Sequence, residues 1–449
     1  MHEYTETMDA WAQAIVDYAI DRIRMSPPPL DGPRPAEELR REVGETITED
    51  GVGGIEAFRI FAEHLAPATI SVDHPLFTAF VPGAPTKASV LFDILVGASS
   101  IVGSSWTEGA GAIYAENQAL AWLADLAGMP DEAGGTFVSG GSAGNLAGLV
   151  AARHTADALR PGRPARWRMI AADDAHSSIW TTARIMDVDV LPVPHDERGR
   201  LTGAALETAL EGEDLDGIFA VTATGGTTNG GYVDDLAGIA EVCGRLGIWL
   251  HVDCAYGGAG LAAPSVRSLF DGIERADSIV IDPHKWLFAP FDCAAILYRD
   301  PRLAAAAFTQ QAEYLEDINA TGEWTPAHYA YHLTRRVRGL PFWFSLATHG
   351  TRAYREAVEA VLDVTRATAE QIRRRPELEL VAEPELSVVL FRRAGWTKAE
   401  YLAWSERMLR EQVAFSQPTT WRGEPCMRFC FVNPTTSVDA VSALLDTMT

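Results

Sequence analysis

The stretch Ser278-Ile279-Val280-Ile281-Asp282-Pro283-His284-Lys285-Trp286 decides the fold. Its β-branched run, 279–281, predicts a buried strand. Pro283 has no N–H to continue a ladder, so the strand stops at Asp282. A histidine and a lysine follow just past that end. Open α/β sheets bind ligands beyond the carboxyl ends of their strands. Lys285 therefore stands where a ligand would be met. A partly desolvated lysine loses its proton more easily and becomes an amine able to form a Schiff base. Taken alone, Lys285 reads equally well as a surface lysine beside a turn.

Outward from this strand the chain keeps one rhythm. Strands are predicted at 135–139, 168–172, 188–193, 217–222, 249–253, 278–282 and 294–298. Helices fall between them at 143–160, 179–186, 202–210, 236–246 and 266–270. Continuous apolar strands with intervening helices predict an α/β fold, a mostly parallel central sheet with helices on both faces. Upstream, helices at 8–25, 35–43 and 54–64 form an N-terminal helical segment too thin to hold a core. It must dock on the main domain or on a second copy of the chain. Residues 73–83 read as extended, 88–102 as helical, 105–109 as a loop and 112–127 as a helix closed by Gly128. Residues 308–338 break the rhythm and read as a long loop followed by a helix, in the manner of a lid. Beyond them, helices over 342–375 and 398–411 and strands at 386–392 and 427–432 predict a small C-terminal α+β domain. The expected division is 1–72, 73–340 and 341–449.

Composition narrows the function. Charged residues make up 22% and the formal net charge is −24. That balance opposes binding to nucleic acid or to anionic membranes. No apolar run is long enough to span a bilayer, and the N-terminus has no signal-peptide core. A cytoplasmic protein is expected. The five cysteines, Cys243, Cys254, Cys293, Cys426 and Cys430, are scattered and show no zinc-ligand spacing. Free thiols and no metal are expected.

Four further stretches lie at predicted strand ends. Phe137-Val138-Ser139-Gly140-Gly141-Ser142-Ala143-Gly144-Asn145 lets the backbone turn sharply and offers N–H groups at a helix start. It outlines a phosphate cradle, and reads alternatively as a plain tight turn. In Asp173-Asp174-Ala175-His176-Ser177-Ser178, His176 could stack on a planar ring or transfer a proton. The same residues suit a helix cap. Thr224-Gly225-Gly226-Thr227-Thr228-Asn229-Gly230 is too rich in hydroxyls and glycines for a mere hairpin. His251-Val252-Asp253-Cys254-Ala255-Tyr256 places an aspartate at the end of a hydrophobic strand, which is costly unless a cation meets it. A protonated pyridine nitrogen would do so.

Together with Asp282-Pro283-His284-Lys285-Trp286, these stretches resemble the pyridoxal-phosphate-dependent group II amino acid decarboxylases, of the aromatic-L-amino-acid and glutamate decarboxylase type. The resemblance runs in order from about His74 to Arg338. It implies a fold-type I transferase architecture and pyridoxal 5'-phosphate as cofactor. It also implies roles, position by position. Lys285 would carry the cofactor covalently. Asp253 would pair with the pyridine nitrogen and keep it protonated. His176 would stack on the ring and help in protonation, and Ala255 would pack beneath it. Gly141 and Ser142 would hold the phosphate, with His284 nearby, and Thr228 would lie toward Asp253. The family's site lies at a homodimer interface wrapped by the N-terminal helices.

The chain departs from the family in one place. The lid tyrosine that serves carbanion protonation has no exact counterpart. Counting back from Arg335 puts it near Pro326, and Tyr329 and Tyr331 are the neighbours. Tyr329 is the expected catalytic residue, and also reads as a buried aromatic. Phe80, Val81, Pro82 and Trp106 match segments that line the substrate side. An apolar, aromatic pocket suits a large apolar side chain. The expectation is decarboxylation of an aromatic L-amino acid to its amine. Alternatives are oxidative decarboxylation–deamination to an aldehyde, and an acidic or non-standard amino acid substrate. A carbon–carbon lyase of the phospho-sphingoid type and a catalytically silent scaffold are further rivals.

Overall fold

A computed structural model describes residues 2–310 and 322–448. Three helices open the chain: α1 (Glu6–Arg24), α2 (Ala36–Val43) and α3 (Gly54–Ile60), the last running on through a π-turn to Leu65. No residue of α1 is buried. Two longer apolar helices follow, α4 (Lys87–Ala98) and α5 (Trp106–Leu126). The loop expected at 105–109 is instead the first turn of α5. Gly109 breaks the helical geometry there at φ −135°, which is why the sequence reads as a loop.

The α/β unit then runs β1 (Gly134–Val138), α6 (Gly141–Leu159), β2 (Arg168–Ala172), α7 (Ser177–Met186), β3 (Asp189–Val193), α8 (Gly203–Leu210), β4 (Ile218–Thr224), α9 (Leu236–Leu246), β5 (Trp249–Asp253), β6 (Ser278–Ile281), the single-turn α10 (Pro283–Trp286), β7 (Ala294–Tyr298) and α11 (Pro301–Phe308). The sheet order is β1-β7-β6-β5-β4-β2-β3. Its β3-β2-β4-β5-β6 portion is parallel, and β7 runs antiparallel to both β6 and β1. Alternation along each strand feeds two cores. In β6, Ile279 and Ile281 join one buried cluster and Val280 the other. In β7, Ala295 and Leu297 go to the first cluster, and Ala294, Ile296 and Tyr298 to the second. That two-sided burial explains the unbroken apolar runs in the sequence.

The strand ends are set by chemistry the sequence carries. Asp235 caps α9 by accepting from Gly238 N–H, and Gly247 closes that helix at φ +66°. His176 itself caps α7, its side chain accepting from Ser178 N–H. Among the described residues, 322–339 hold a single 3-10 turn, Pro326–His328, and no α-helix. The helix expected at the end of that stretch is not found among the described residues, whereas the one expected over 342–375 is present from Leu340. It is α12 (Leu340–Arg373), broken at Gly350 with φ +75°. The rest of the expected lid loop, residues 311–321, lies outside the described residues.

The C-terminal part is an antiparallel sheet in the order β10-β11-β9-β8. It comprises β8 (Leu378–Leu380), β9 (Val388–Arg393), β10 (Gln417–Trp421) and β11 (Glu424–Cys430), with α13 (Lys398–Arg410) and α14 (Val438–Asp446). The segment after the N-terminal helices is stitched to it. Thr78 N–H donates to Phe415 O at 2.8 Å and Cys430 N–H donates to Thr78 O at 2.9 Å. This brings Phe80 to the carboxyl ends of the parallel strands.

Candidate active site

Helix α6 packs along β5 and β6 on a face of small residues, with its start at their carboxyl ends. A Cβ on Gly141 would sit 2.9 Å from Asp282 Oδ2 and 3.0 Å from Ala255 Cβ. One on Gly144 would sit 2.8 Å from Val280 Cγ2, and one on Gly148 2.7 Å from the His251 ring. These glycines, spaced one turn apart, let the helix seat directly on the strands. The helix starts at Gly141 after Gly140, with no side-chain cap. Gly140 has no side chain to cap the 19-residue helix, and its positive end is met instead by the Asp282 carboxylate.

Lys285 projects from α10 toward that end. Its Nζ lies 2.8 Å from Asp282 Oδ2, and Gly141 N–H donates to the same oxygen at 3.2 Å. Asp282 Oδ1 is buried without a hydrogen-bond partner. Burial alone would pull the lysine's pKa down, as the sequence reading expected. Asp282, 2.8 Å away, and Asp253 behind it outweigh burial, so the pKa is raised above its ordinary value. The two aspartates thus act on one amine from one space. His284 turns aside: its Nδ1 accepts from Cys293 N–H at 3.1 Å, and its Nε2 lies 3.7 Å from Asp282 Oδ2. Burial lowers its pKa.

Asp253 is held from two sides. Ala255 N–H donates to Oδ1 at 3.1 Å and Asn145 Nδ2 donates to Oδ2 at 2.8 Å. The same amide nitrogen donates to Ser178 Oγ at 2.9 Å, which lies 2.8 Å from His176 Nδ1. On its other side, Asn145 Oδ1 lies 3.0 Å from His251 Nε2. His251 Nδ1 is 2.7 Å from Ser278 Oγ, which accepts from Trp249 Nε1 at 2.8 Å. Burial pushes the His251 pKa down to about 4.

The remaining predicted residues fall less uniformly. Ser142 is exposed beside the helix start. Thr228 is also exposed, and makes no hydrogen bond to Asp253. Its carbonyl accepts from Arg428 Nη2 at 2.7 Å. Arg428 also donates to the Phe80 carbonyl, so one buried guanidinium ties both loops together. Phe80 is 63% exposed, while Pro82 is buried. The next residue, Gly83, lies against His284 and the exposed ring of Phe291. Trp106 is half-buried on the first turn of α5, beyond Ser104. Tyr329 joins a core cluster. It is buried, stacks on Trp324 at 4.3 Å, and its carbonyl accepts from Tyr298 Oη. Its phenol is pushed up to about 12 by burial. Tyr331 is exposed. Sequence reasoning missed Asp282, Asn145, His251 and Ser278 as site groups, although all four sit inside the quoted stretches. Arg428 carried no local signal, since it arrives from a strand of the other sheet.

The arrangement fits a phosphorylated pyridine. A helix entered through a bare glycine, a first helical residue with no room for a Cβ, an orphaned carboxylate oxygen and a lysine faced by a second carboxylate converge beyond the ends of β5 and β6. These features define a lysine-anchored cofactor enzyme on a doubly covered α/β sheet. The pyridoxal-dependent decarboxylase conserved domain matches residues 58–394, and the chain belongs to that family of pyridoxal-phosphate-dependent amino acid decarboxylases. An aromatic-L-amino-acid decarboxylase of Bacillus atrophaeus is 29% identical over 98% of this chain and 94% of its own length. A histidine decarboxylase of Rattus norvegicus is 28% identical over 90% of this chain, which spans 64% of that protein. Among solved structures, Oryza sativa TDC with PLP and tryptamine superposes with a TM-score of 0.90 at 24% identity, covering 100% of this chain and 99% of that one.

Proposed function

We propose that this decarboxylase acts on an L-amino acid with a large apolar, aromatic side chain and releases the amine and CO₂. The observation that carries the reading is the exposed ring of Phe291, 5.0 Å from the ring of His284 beside Lys285, with the segment that bears the exposed Phe80 packed against it through Gly83. The full-length similarity to an aromatic-L-amino-acid decarboxylase supports it. Among the described residues, the nearby guanidinium of Arg428 is already occupied by the carbonyls of Phe80, Thr228 and Asn229. It has little left to offer a substrate side-chain carboxylate.

Bound pyridoxal phosphate supplies an electron-poor ring that takes up the electron pair left when the carboxylate departs. The chain does the rest. Lys285 Nζ would hold the cofactor. The start of α6 would hold the phosphate, with Gly141 N–H passing to it from Asp282 and Ser142 beside it. Asp253 would meet the ring nitrogen, and Ala255 would pack against the ring. His176 Nδ1 accepts from Ser178 N–H at 3.2 Å, which leaves Nε2 as the ring's donor, and that proton would serve the transfer. Orientation and electrostatics are the protein's share of the rate.

The chain is also proposed to work as a homodimer. Leu91, Ile94 and Leu95 on α4 are 44%, 50% and 54% exposed, and Tyr114 on α5 is 60% exposed. Apolar faces of this kind mark an interface. Among the described residues no helix is long and apolar enough to cross a membrane.

The test is a panel of amino acids incubated with the purified protein, with CO₂, amine, aldehyde and peroxide recorded together. Amine and CO₂ from aromatic substrates, without peroxide, is the expected result. Aldehyde with peroxide would replace the reading by oxidative deamination, and turnover confined to acidic or imidazole side chains would overturn the substrate class. Lys285→Ala should abolish both the visible absorbance of the bound cofactor and turnover.

A further inference from the structure

The hydrogen bonds behind Asp253 have only one consistent direction. Trp249 Nε1–H is an obligate donor, so Ser278 Oγ must accept from it. At the other end Asp253 Oδ2 accepts from the Asn145 amide nitrogen, which turns Asn145 Oδ1 toward His251 Nε2. That nitrogen must then carry a proton. A neutral His251 consequently accepts at Nδ1, and the hydroxyl of Ser278 donates to it. Every group is satisfied in this direction, and flipping any one of them sets two donors or two acceptors face to face. The helix makes room for the arrangement. A Cβ on Gly148 would strike His251 at 2.7 Å and Ser278 Oγ at 3.1 Å.

We propose that Asn145, oriented by the Trp249–Ser278–His251 chain, is a positioning residue that fixes Asp253 against the cofactor's ring nitrogen. Asn145 bonds Asp253, Ser178 and His251 and not Lys285; it acts through Asp253, and through Ser178 it also steadies His176. The inference rests on the role assigned to Asp253 above. A buried acceptor with one remaining donor, Ala255 N–H, can swing about that bond, whereas two donors on different oxygens fix its plane.

The test compares Asn145→Asp and Asn145→Ala with Asp253→Ala in the full chain. Asn145→Asp keeps the volume and the acceptor for His251, but turns the donor facing Asp253 into an acceptor. Cofactor affinity is read by titrating the cofactor-free chain with pyridoxal phosphate. Histidine-selective ¹⁵N NMR reads His251, and thermal unfolding reports the fold. In the wild type, His251 should carry its proton on Nε2 alone at neutral pH. In Asn145→Asp both its nitrogens should be protonated, cofactor affinity should fall at least tenfold, and kcat should fall with KM little changed. Asn145→Ala, which adds no charge, should lose affinity at least fivefold and keeps the test open if the aspartate variant does not fold. Wild-type affinity in a folded Asn145 variant, with Asp253→Ala impaired, would overturn the proposal while leaving the role of Asp253 standing. Unimpaired Asp253→Ala would overturn both.

Discussion

Replacing Asp282 by asparagine should speed the capture of the cofactor while weakening the cofactor-free chain. Asp282 Oδ2 lies 2.8 Å from Lys285 Nζ. At an effective dielectric of about 20, a pair at that distance attracts by about 6 kcal/mol, most of which is spent on desolvation. If a quarter survives, removing the charge lowers the lysine pKa by about one unit and raises the fraction of free amine about tenfold. The ordinary lysine value is 10.5, and here it is raised. Near pH 7.5 the free amine is then below about a thousandth of the total, so attack on the aldehyde is limited by it. Asparagine keeps an oxygen for the Gly141 N–H. The stability effect has the opposite sign. A lysine whose pKa is raised by folding stabilises the chain below its ordinary value, and that contribution is lost as pH climbs through the raised one. At pH 7.5 the variant should thus unfold more easily without cofactor. Stopped-flow absorbance of the cofactor-free chain mixed with pyridoxal, which lacks the phosphate, isolates the amine. Capture about tenfold faster than wild type is expected. Unchanged or slower capture would refute the claim that Asp282 holds the lysine protonated.

Three other outcomes follow from the geometry. Gly141→Ala should weaken pyridoxal phosphate binding at least tenfold, measured by equilibrium titration, since its Cβ would press on Asp282 and Ala255 at 2.9 and 3.0 Å. His251, held down to about 4 by burial, binds its proton near 6.5 once unfolded, so the folded chain loses stability as pH falls from about 6.5 toward 4. Urea unfolding at pH 7 and 4.5 should show a loss of about 2–3 kcal/mol from this residue, with His332, also pushed to about 4, adding to it in the same window. Arg335 and Glu116 form a pair with side-chain exposures of 0% and 2%, and Arg335 also donates to Gly103 O at 2.8 Å. Arg335→Met should therefore cost about 3–5 kcal/mol in urea unfolding, because it strands a buried carboxylate.

Much of this site could be read in the sequence because its parts are local. Asp253 ends a strand, and Gly141 and Lys285 come within four residues of one, each strand having an apolar run that marks its own end. The fold was legible for the same reason, and the two-sided burial of β6 and β7 is the cause of their unbroken β-branched and apolar character. What escaped was set by tertiary contact. The Trp106 turn hides its helix behind Gly109, whose backbone breaks the pattern. Tyr329 sits at a plausible distance in sequence, yet stacking on Trp324 takes its ring into the core. Lys285 was expected to lose its proton through burial, but Asp282, three residues earlier in the same motif, reverses the sign. Arg428 enters from another sheet and has no neighbour in sequence that announces it.

The chain has only three lysines, Lys87, Lys285 and Lys398, which makes the decisive measurement simple. The cofactor-loaded protein is reduced with borohydride and its peptides are weighed by mass spectrometry. A pyridoxyl-phosphate mass on the peptide containing Lys285, and on no other, is the predicted result. Its absence there, or its presence on Lys87 or Lys398, would contradict the account.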